Sequence, residues 1–350
     1  MPEAPSALPP SDLKAAADAA APATRAADPT AGPGADYPSL IGALAAVHNR
    51  LDGLLREALP DEDWRERFDE LCEQCRALAR HEPDALLYLH MQFAQRSLDP
   101  YSSRHALFCA CVADLCARPL ALDETETLAL VRAALTMNVA MTELQDELVH
   151  RERTPTLDQR RIIDRHPQQS AAWLRGGGID DALWLEIVEQ HHREAPAGIA
   201  FAALEPAQRL AALLHRIDVF TAKLSARKTR PALLATVAAR DACLGPDGRP
   251  DEIGAALLRV LGLYPPGSFV RLASGEIGVV TRRGARANAP RVVALTALAP
   301  RSARDAQSRE PPAREPQPRD TADPAYAVKA CVMLPDPRAA LDHAALLALG

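Results

Sequence analysis

The chain has 350 residues, of which 48% are apolar and 25% are charged, and its formal net charge is −6. This length allows one large or two ordinary globular domains. The negative net charge gives no electrostatic indication that the protein binds nucleic-acid polymers. No run of about 18 apolar residues occurs, so we expect no membrane span.

The terminus and the cysteines indicate a compartment. The N-terminus lacks a basic flank followed by an apolar core, which argues against a secretory signal. The seven cysteines are odd in number and fall mostly in helical patterns, as expected of reduced thiols. We therefore expect a cytoplasmic protein. The many Ala, Arg and Pro residues and the few aromatic ones are typical of a bacterial source with a GC-rich genome.

The N-terminal third divides into two parts. Residues 1–36 contain 13 Ala and 7 Pro with few large apolar groups, too little to offset the entropy of ordering, so this stretch is predicted to be a disordered tail. Residues 37–96 are predicted to form a helical segment. Within it, Trp64, Phe68 and Leu71 recur at helical spacing.

The central region, residues 97–265, is predicted to be a bundle of helices. Asp123 and Glu126 have the spacing of a capping box and mark the start of one of them. Thr156 is expected to cap a helix over 157–164, and a second short helix is expected to begin at His166-Pro167.

The periodicity changes after this region. Residues 266–299 contain short β-rich runs around glycine-containing turns, which predict a small appendage of two or three strands. The Pro- and Arg-rich tract 300–325 is predicted to be a disordered linker, and residues 326–350 to form one strand and one helix. The predicted fold class is therefore mainly α, with a small C-terminal β appendage and a disordered N-terminal tail.

Histidines offer the most chemistry in this chain. His105 lies in a predicted helix, His166 at a helix start, and the adjacent pair His191-His192 at a helix end, where the chain turns and neighbouring residues can face one cavity. Asp218 lies in an apolar helix, where a carboxylate usually needs a partner. Several imidazoles and one carboxylate suit Zn, Fe or Mn, although each histidine taken alone fits a surface or hydrogen-bonded core residue.

Other candidates fit ordinary packing better. Cys72-x-x-Cys75 resembles one half of a zinc-knuckle motif. However, both cysteines lie on an apolar helix face, and the sequence has no second pair of matching spacing. Three further cysteines are interpreted in the same way: Cys109, Cys111 and Cys116. His215 and Asp218 are three residues apart rather than adjacent, so they match a His-Asp dyad only weakly.

The order of these elements resembles the HD-GYP family, a subgroup of the HD-domain metal phosphohydrolases, many of which hydrolyse cyclic di-GMP. The resemblance covers residues 97–298. It rests on "YSSRHALFCACVADLCA", "IIDRHPQQSAAWL", "EIVEQHHREAPAG" and "YPPGSFVRLASGEIGVV". It implies an HD-domain helical bundle around a centre of two or three metal ions. The metal ligands that it implies are His105, His166, His191, His192 and Asp218.

The sequence departs from this family at its His-Asp dyad. Where the family has "AALLHDIGK", this chain has "AALTMNVAM", which places Met137 at the histidine position and Asn138 at the aspartate position. A neutral amide is a poor ligand for a hard cation, and a thioether suits Cu(I) better than Zn, Mn or Fe(II). Met141 replaces the lysine that follows, and Ile199-Ala200-Phe201 stand at the GYP triplet.

These losses predict little or no ordinary phosphodiesterase activity. A two-metal phosphodiesterase relies on an activated hydroxide and on Lewis-acid stabilisation of the transition state. The loss of one oxyanion-stabilising group alone costs about 2.7–4 kcal/mol. We expect a degenerate signalling module that is non-catalytic or weakly active. It is expected to bind a cyclic dinucleotide or a partner signalling protein, and a homodimer is a possible oligomeric state.

Two alternatives remain open at this stage. One is a metal-dependent phosphohydrolase with a reduced His-rich site, in which His166, His191 and His192 hold one divalent Zn, Fe or Mn ion. The other is a helical scaffold that holds no metal. Retention of all five remaining ligand positions is hard to explain in the non-catalytic signalling module, because a scaffold that only binds a partner has no evident need for them.

Overall fold

A computed structural model describes residues 36–96, 100–193, 196, 198–228, 232–244, 249–295, 315–333 and 341–350. The predicted tail lies outside these residues except for Asp36. Residues 300–314 of the predicted linker also lie outside them. The described part is mainly helical with a small C-terminal antiparallel sheet, which confirms the predicted fold class.

Three helices form the N-terminal segment: α1 (Tyr37–Leu54), α2 (Glu62–His81) and α3 (Pro83–Arg96). Aspartate side chains cap the N-termini of two of these helices. The carboxylate of Asp36 accepts a hydrogen bond from the Ser39 amide at 3.0 Å, and that of Asp61 accepts one from the Trp64 amide at 2.8 Å. Such caps satisfy amides that have no partner within the helix.

The next helices begin the central bundle: α4 (Tyr101–Ala117), α5 (Glu124–Thr136) and α6 (Thr142–His150). A short 3₁₀ turn, Val139–Met141, precedes α6. The capping box predicted at the start of α5 is present. The Asp123 side chain accepts a hydrogen bond from the Glu126 amide at 2.8 Å, and the Glu126 side chain accepts one from the Asp123 amide at 3.3 Å.

The bundle continues with α7 (Leu157–Gly176), α8 (Ala182–Gln190) and α9 (Pro206–Leu224), followed by α10 (Ala235–Cys243) and α11 (Glu252–Leu261). Thr156 caps α7 as predicted. The expected break at His166-Pro167 was wrong, because α7 runs through Pro167 without interruption. A proline has no backbone N–H, so the carbonyl four residues earlier in the helix loses its usual partner and can bond to another group.

The C-terminal sheet has five strands among the described residues: β1 (Phe269–Leu272), β2 (Ile277–Arg282), β3 (Arg291–Ala294), β4 (Gln317–Asp320) and β5 (Val328–Val332). The spatial order is β4-β3-β2-β1-β5, and every neighbouring pair is antiparallel. The last helix, α12 (His343–Leu349), follows.

The three strands within residues 266–299 and the strand and helix within residues 326–350 confirm the prediction, but β4 was not predicted. β4 lies within the tract predicted to be a linker, and its sequence, QPRD, has none of the apolar alternation typical of a strand. Its backbone pairs with the exposed edge of β3, and Arg319 forms an ion pair with Glu276 at 2.8 Å. An edge strand defined by backbone pairing and one ion pair has no hydrophobic pattern for a sequence analysis to detect.

The N-terminal segment and the bundle share one continuous hydrophobic core, which also includes residues of the sheet and of α12. The buried Arg76 of α2 reaches into the bundle. Its Nε donates to Asp114 on α4 at 2.9 Å, and its Nη1 donates to Glu124 at the start of α5 at 2.7 Å. Residues 37–96 are therefore joined to the bundle by both apolar packing and a buried ion pair.

The state of the cysteines and the apolar length of the helices agree with the sequence analysis. All seven cysteines lie in the described ranges, and each is a free thiol. No helix within those ranges is both long enough and apolar enough to cross a membrane.

Candidate metal centre

Three of the histidines singled out in the sequence come together. His166 lies in the middle of α7, His191 directly follows α8, and His192 is the next residue. One ring nitrogen from each lies within 4.8 Å of the others. The end of α8 explains the adjacent pair, because the chain leaves the helix there and both rings can reach His166.

Pro167 sets the orientation of His166. The carbonyl that Pro167 leaves free is that of Ile163, four residues earlier. The Nδ1–H of His166 donates to this carbonyl at 2.6 Å. A carbonyl oxygen can only accept, so Nδ1 carries the proton and Nε2 presents its lone pair to the cluster.

His191 is held in the same way. Its Nδ1–H donates to the Val188 carbonyl at 2.7 Å, so its Nε2 also presents a lone pair. The two Nε2 atoms of His166 and His191 are 3.1 Å apart. Burial lowers the pKa of His166 to about 4 and that of His191 to about 3, so both rings are neutral at pH 7.

His192 completes the cluster from an exposed position. Its ring centre lies 4.8 Å from that of His166 and 4.4 Å from that of His191. Partial burial lowers the pKa of His192, while the nearby charge of Asp218 opposes this shift. The exposed ring leaves this side of the cluster open to solvent.

The three imidazoles fit a divalent metal ion. Neutral imidazole nitrogens are the ligands that Zn²⁺ accepts in three-histidine sites, at about 2.0–2.1 Å. Two nitrogens at that distance from one ion and 3.1 Å apart make an angle of about 100°, within the range of tetrahedral or octahedral sites. Metal-binding histidines usually donate their other N–H to a carbonyl or carboxylate, as His166 and His191 do here.

The two remaining predicted ligands form a second group. Nε2 of His105 on α4 lies 2.7 Å from Oδ1 of Asp218 on α9. The His105 side chain is 1% exposed and that of Asp218 is 22% exposed. Burial acts to raise the pKa of Asp218, but the hydrogen bond and charge of His105 outweigh it and hold that pKa well below its usual value.

The environment of His105 favours its charged form. Burial disfavours the imidazolium, but Cys109, Tyr101 and Asp218 together raise the pKa of His105 above its usual value. The Tyr101 ring stacks on the imidazole at a centroid distance of 5.4 Å. We therefore interpret His105 and Asp218 as a buried imidazolium–carboxylate pair in the metal-free protein.

Asp218 links the two groups. Its negative charge raises the pKa values of His166, His191 and His192, against the effect of burial. Oδ1 of Asp218 faces His105, and its field reaches the three-histidine cluster. A cation at the cluster would therefore be stabilised by a nearby carboxylate, as the family resemblance implies.

The substituted dyad lies beside α7. Met137 and Asn138 directly follow α5, and both are buried. The amide of Ala140, two residues later, donates to Ser170 Oγ at 3.2 Å, and Ser170 is one helical turn beyond His166. The segment that carries Asn138 therefore packs on the helix that carries His166, and the Asn138 side chain is a neutral amide rather than an anion.

Two residues near the site were missed by the sequence analysis. Cys109, interpreted as a packing residue, lies 3.7 Å from His105 Nε2 and belongs to the His105–Asp218 group. His215, set aside as part of a weak dyad, donates through its Nδ1–H to the His191 carbonyl at 3.1 Å. Their spacings of four residues from His105 and three from Asp218 on the same helices were the available signals.

The chain has a distant relative among curated proteins. It is 25% identical over 222 residues to a cyclic di-GMP phosphodiesterase of Pseudomonas aeruginosa. The match covers 62% of this chain and 52% of the relative, so the chain spans about half the length of the curated protein it matches. No protein-family model matches the chain, and no solved structure matches it significantly. The relative supports an HD-GYP-like family for this chain.

Proposed function

We propose that this protein is an HD-GYP-like signalling protein that binds one divalent metal ion through His166, His191 and His192, takes cyclic di-GMP as its ligand there, and hydrolyses it slowly or not at all. The observation that carries the proposal is the three-histidine cluster, in which two Nε2 lone pairs face each other 3.1 Å apart. The relative's activity on cyclic di-GMP supports the choice of ligand.

The residues of this chain supply the binding half of the chemistry. The carbonyls of Ile163 and Val188 hold two imidazoles in the ligand tautomer, and burial keeps them neutral. The exposed His192 leaves an open side, by which a phosphate group can approach. A divalent ion bound at the cluster supplies positive charge for phosphate oxygens.

The hydrolytic half of the chemistry lacks groups that the family resemblance implies. Asn138 and Met137 offer no anion to hold a second metal ion, and Met141 offers no positive charge to the phosphate. Removing one charge-stabilising donor from an active site typically costs about 10²–10³ in kcat. With three such groups replaced, we expect turnover to fall by many orders of magnitude.

A phosphohydrolase with a reduced site is the main competing function. The observation in its favour is the set of three imidazoles, which resembles the three-histidine sites of hydrolytic zinc enzymes, together with the charge of Asp218, which acts on all three rings. A helical scaffold that holds no metal is the third candidate function. It is favoured by the 2.7 Å bond between His105 and Asp218, which satisfies two predicted ligands without a metal.

Three measurements on one preparation distinguish these functions. Protein purified without chelators is assayed for metal by elemental analysis, for cyclic di-GMP binding by calorimetry, and for hydrolysis of cyclic di-GMP by chromatography. We expect about one metal ion per chain, saturable binding and no hydrolysis above the chelator-treated background. His166→Ala is expected to lose both metal and ligand. His81→Ala removes an exposed histidine at the end of α2 and serves as the matched control.

Each competing outcome contradicts the proposal differently. Metal-dependent hydrolysis that His166→Ala abolishes would establish the reduced-site enzyme. A protein that holds no metal and does not bind cyclic di-GMP would be a scaffold. Metal without cyclic di-GMP binding would retain the metal centre and refute the ligand.

A further inference from the structure

A cavity of about 490 Å³ lies between α1, α3 and α4. Its volume falls within the range of about 300–1,000 Å³ typical of small-molecule sites. None of the three clustered histidines lines it. Neither the family resemblance nor the proposed function assigns this cavity a role.

The walls of the cavity are mostly apolar and partly aromatic. Leu44 of α1, Phe93 of α3 and Phe108 of α4 line it, together with Tyr101. Flat aromatic side chains offer offset or edge-to-face contacts to a planar ring. The lining therefore favours a flat ligand over a branched aliphatic one.

The polar lining is basic. Arg104 lines the cavity with three histidines, His48, His90 and His105, and no carboxylate is among the described lining residues. A guanidinium remains charged at any ordinary pH and binds carboxylate or phosphate through paired hydrogen bonds. Burial lowers the pKa of His90 to about 3, so Arg104 rather than His90 supplies the charge.

Tyr101 provides an independent indication of a ligand. Its side chain is buried, with 4% of the residue exposed, and its hydroxyl has no hydrogen-bond partner among the described residues. An unsatisfied buried hydroxyl costs about 1–3 kcal/mol, so native structures rarely leave one without a partner. An acceptor on a bound molecule would supply that partner.

We propose that this cavity binds a small planar aromatic anion, with its ring against Phe93 and Phe108, its anionic group at Arg104 and an acceptor for the hydroxyl of Tyr101. The occupant would contact the Tyr101 ring, which stacks on His105. The cavity is thus a ligand site distinct from the three-histidine cluster, and His105 of the His105–Asp218 pair is one of its lining residues.

The test uses 2-naphthoate and its neutral counterpart 2-naphthalenemethanol as probes in calorimetric titrations of the full chain. We expect 2-naphthoate to bind at one site per chain and to bind at least about tenfold more tightly than the alcohol. Arg104→Gln should remove that preference. Arg118→Gln, which changes an exposed arginine after the same helix α4, is the matched control and should keep it.

Two further variants keep the proposal testable if Arg104→Gln does not fold. Ala94→Phe fills the cavity that Ala94 lines and should abolish binding of both probes. Tyr101→Phe removes only the hydroxyl and should weaken 2-naphthoate several-fold. The proposal is overturned if wild-type protein does not bind 2-naphthoate at millimolar concentration, if the alcohol binds equally well, or if Ala94→Phe leaves binding intact.

Discussion

His166 and His191 face each other through two Nε2 lone pairs at 3.1 Å, because the Nδ1–H of each is already bound to a backbone carbonyl. Two lone pairs at this distance repel unless a cation lies between them. A metal ion or a shared proton would relieve that repulsion. Burial lowers the pKa values of both rings, which disfavours the proton at neutral pH.

Pro167→Ala tests how this arrangement is held. The new amide at position 167 can bond to the Ile163 carbonyl and compete with His166 Nδ1. Since groups that orient metal ligands are typically worth 10–100-fold in affinity, we expect Zn²⁺ affinity to fall about tenfold. A competition titration with a chromophoric chelator measures it.

The control for this variant is Pro206→Ala, at the first turn of α9. A proline at that position frees no carbonyl, because the first amides of a helix have no partner within it. This variant should leave Zn²⁺ affinity unchanged. Equal affinity in wild type and Pro167→Ala would show that the proline does not position His166.

Met137→His combined with Asn138→Asp tests the proposed cause of low activity. The double variant returns an imidazole and an anionic oxygen to the segment that packs on α7. We expect bound metal to rise from about one to about two ions per chain and hydrolysis of cyclic di-GMP to become measurable. Elemental analysis and product chromatography give both readouts.

The two single variants are the controls for this experiment. Asn138→Asp should recover more metal than Met137→His, since a carboxylate can bridge two ions and an imidazole cannot. If the double variant folds, binds two metal ions and still fails to hydrolyse the ligand, the replaced dyad is not what limits activity.

The stability of the metal-free protein should fall as the pH drops below about 6.5. An unfolded histidine takes up a proton near pH 6.5, whereas burial holds the folded pKa at about 4 for His166 and about 3 for His191. The unfolded state therefore binds more protons in this interval, which lowers the free energy of unfolding by about 1.4 kcal/mol per pH unit for each such group.

His166→Gln should reduce the slope of the free energy of unfolding against pH by the contribution of one titrating group, about 1.4 kcal/mol per pH unit. Urea unfolding between pH 6 and pH 4.5 in the presence of chelator measures the slope, with His81→Gln as the control. His105 contributes little in this range, because its raised pKa keeps it protonated when folded and its unfolded form is protonated as well. An unchanged slope in His166→Gln would mean that His166 is not buried in its neutral form.

Arg76→Met should destabilise the whole described bundle rather than α2 alone. The substitution leaves Asp114, whose side chain is 5% exposed, without its hydrogen-bonded partner, and only the more exposed Arg80 remains at 3.8 Å. Breaking a buried ion pair in this way costs about 3–5 kcal/mol. Chemical denaturation followed by circular dichroism should show one transition at lower denaturant for the variant.

The double variant Arg76→Met with Asp114→Leu tests whether the Asp114 charge causes the loss of stability in Arg76→Met. It removes the unpaired charge, and we expect it to recover most of the lost free energy of unfolding. The exposed pair of Arg161 and Asp158 on α7 is a suitable comparison, because Arg161→Met there should cost less than about 1 kcal/mol. Loss of α2 alone, with a second transition for the bundle, would contradict a shared core.

The sequence by itself determined most of the helices and predicted five of the residues at the candidate site. Hydrophobic periodicity and caps such as Asp123–Glu126 depend on residues within a few positions of each other, so a linear pattern carries them. The motif spacing likewise pointed to His105, His166, His191, His192 and Asp218, and to the replaced dyad at Met137 and Asn138. Whether these residues bind metal stays a prediction.

The tertiary structure alone decided how those residues are grouped. It separated a three-histidine cluster from the His105–Asp218 pair, carried α7 through Pro167, and completed the sheet with the polar strand β4. It also enclosed the cavity between α1, α3 and α4. The grouping of the histidines, the pairing of β4 and the cavity depend on contacts between residues far apart in the chain, whereas the passage of α7 through Pro167 accompanies a local bond from His166 to the Ile163 carbonyl. Such contacts are set by packing and by the satisfaction of individual hydrogen-bonding groups, which leave no periodic trace in the sequence.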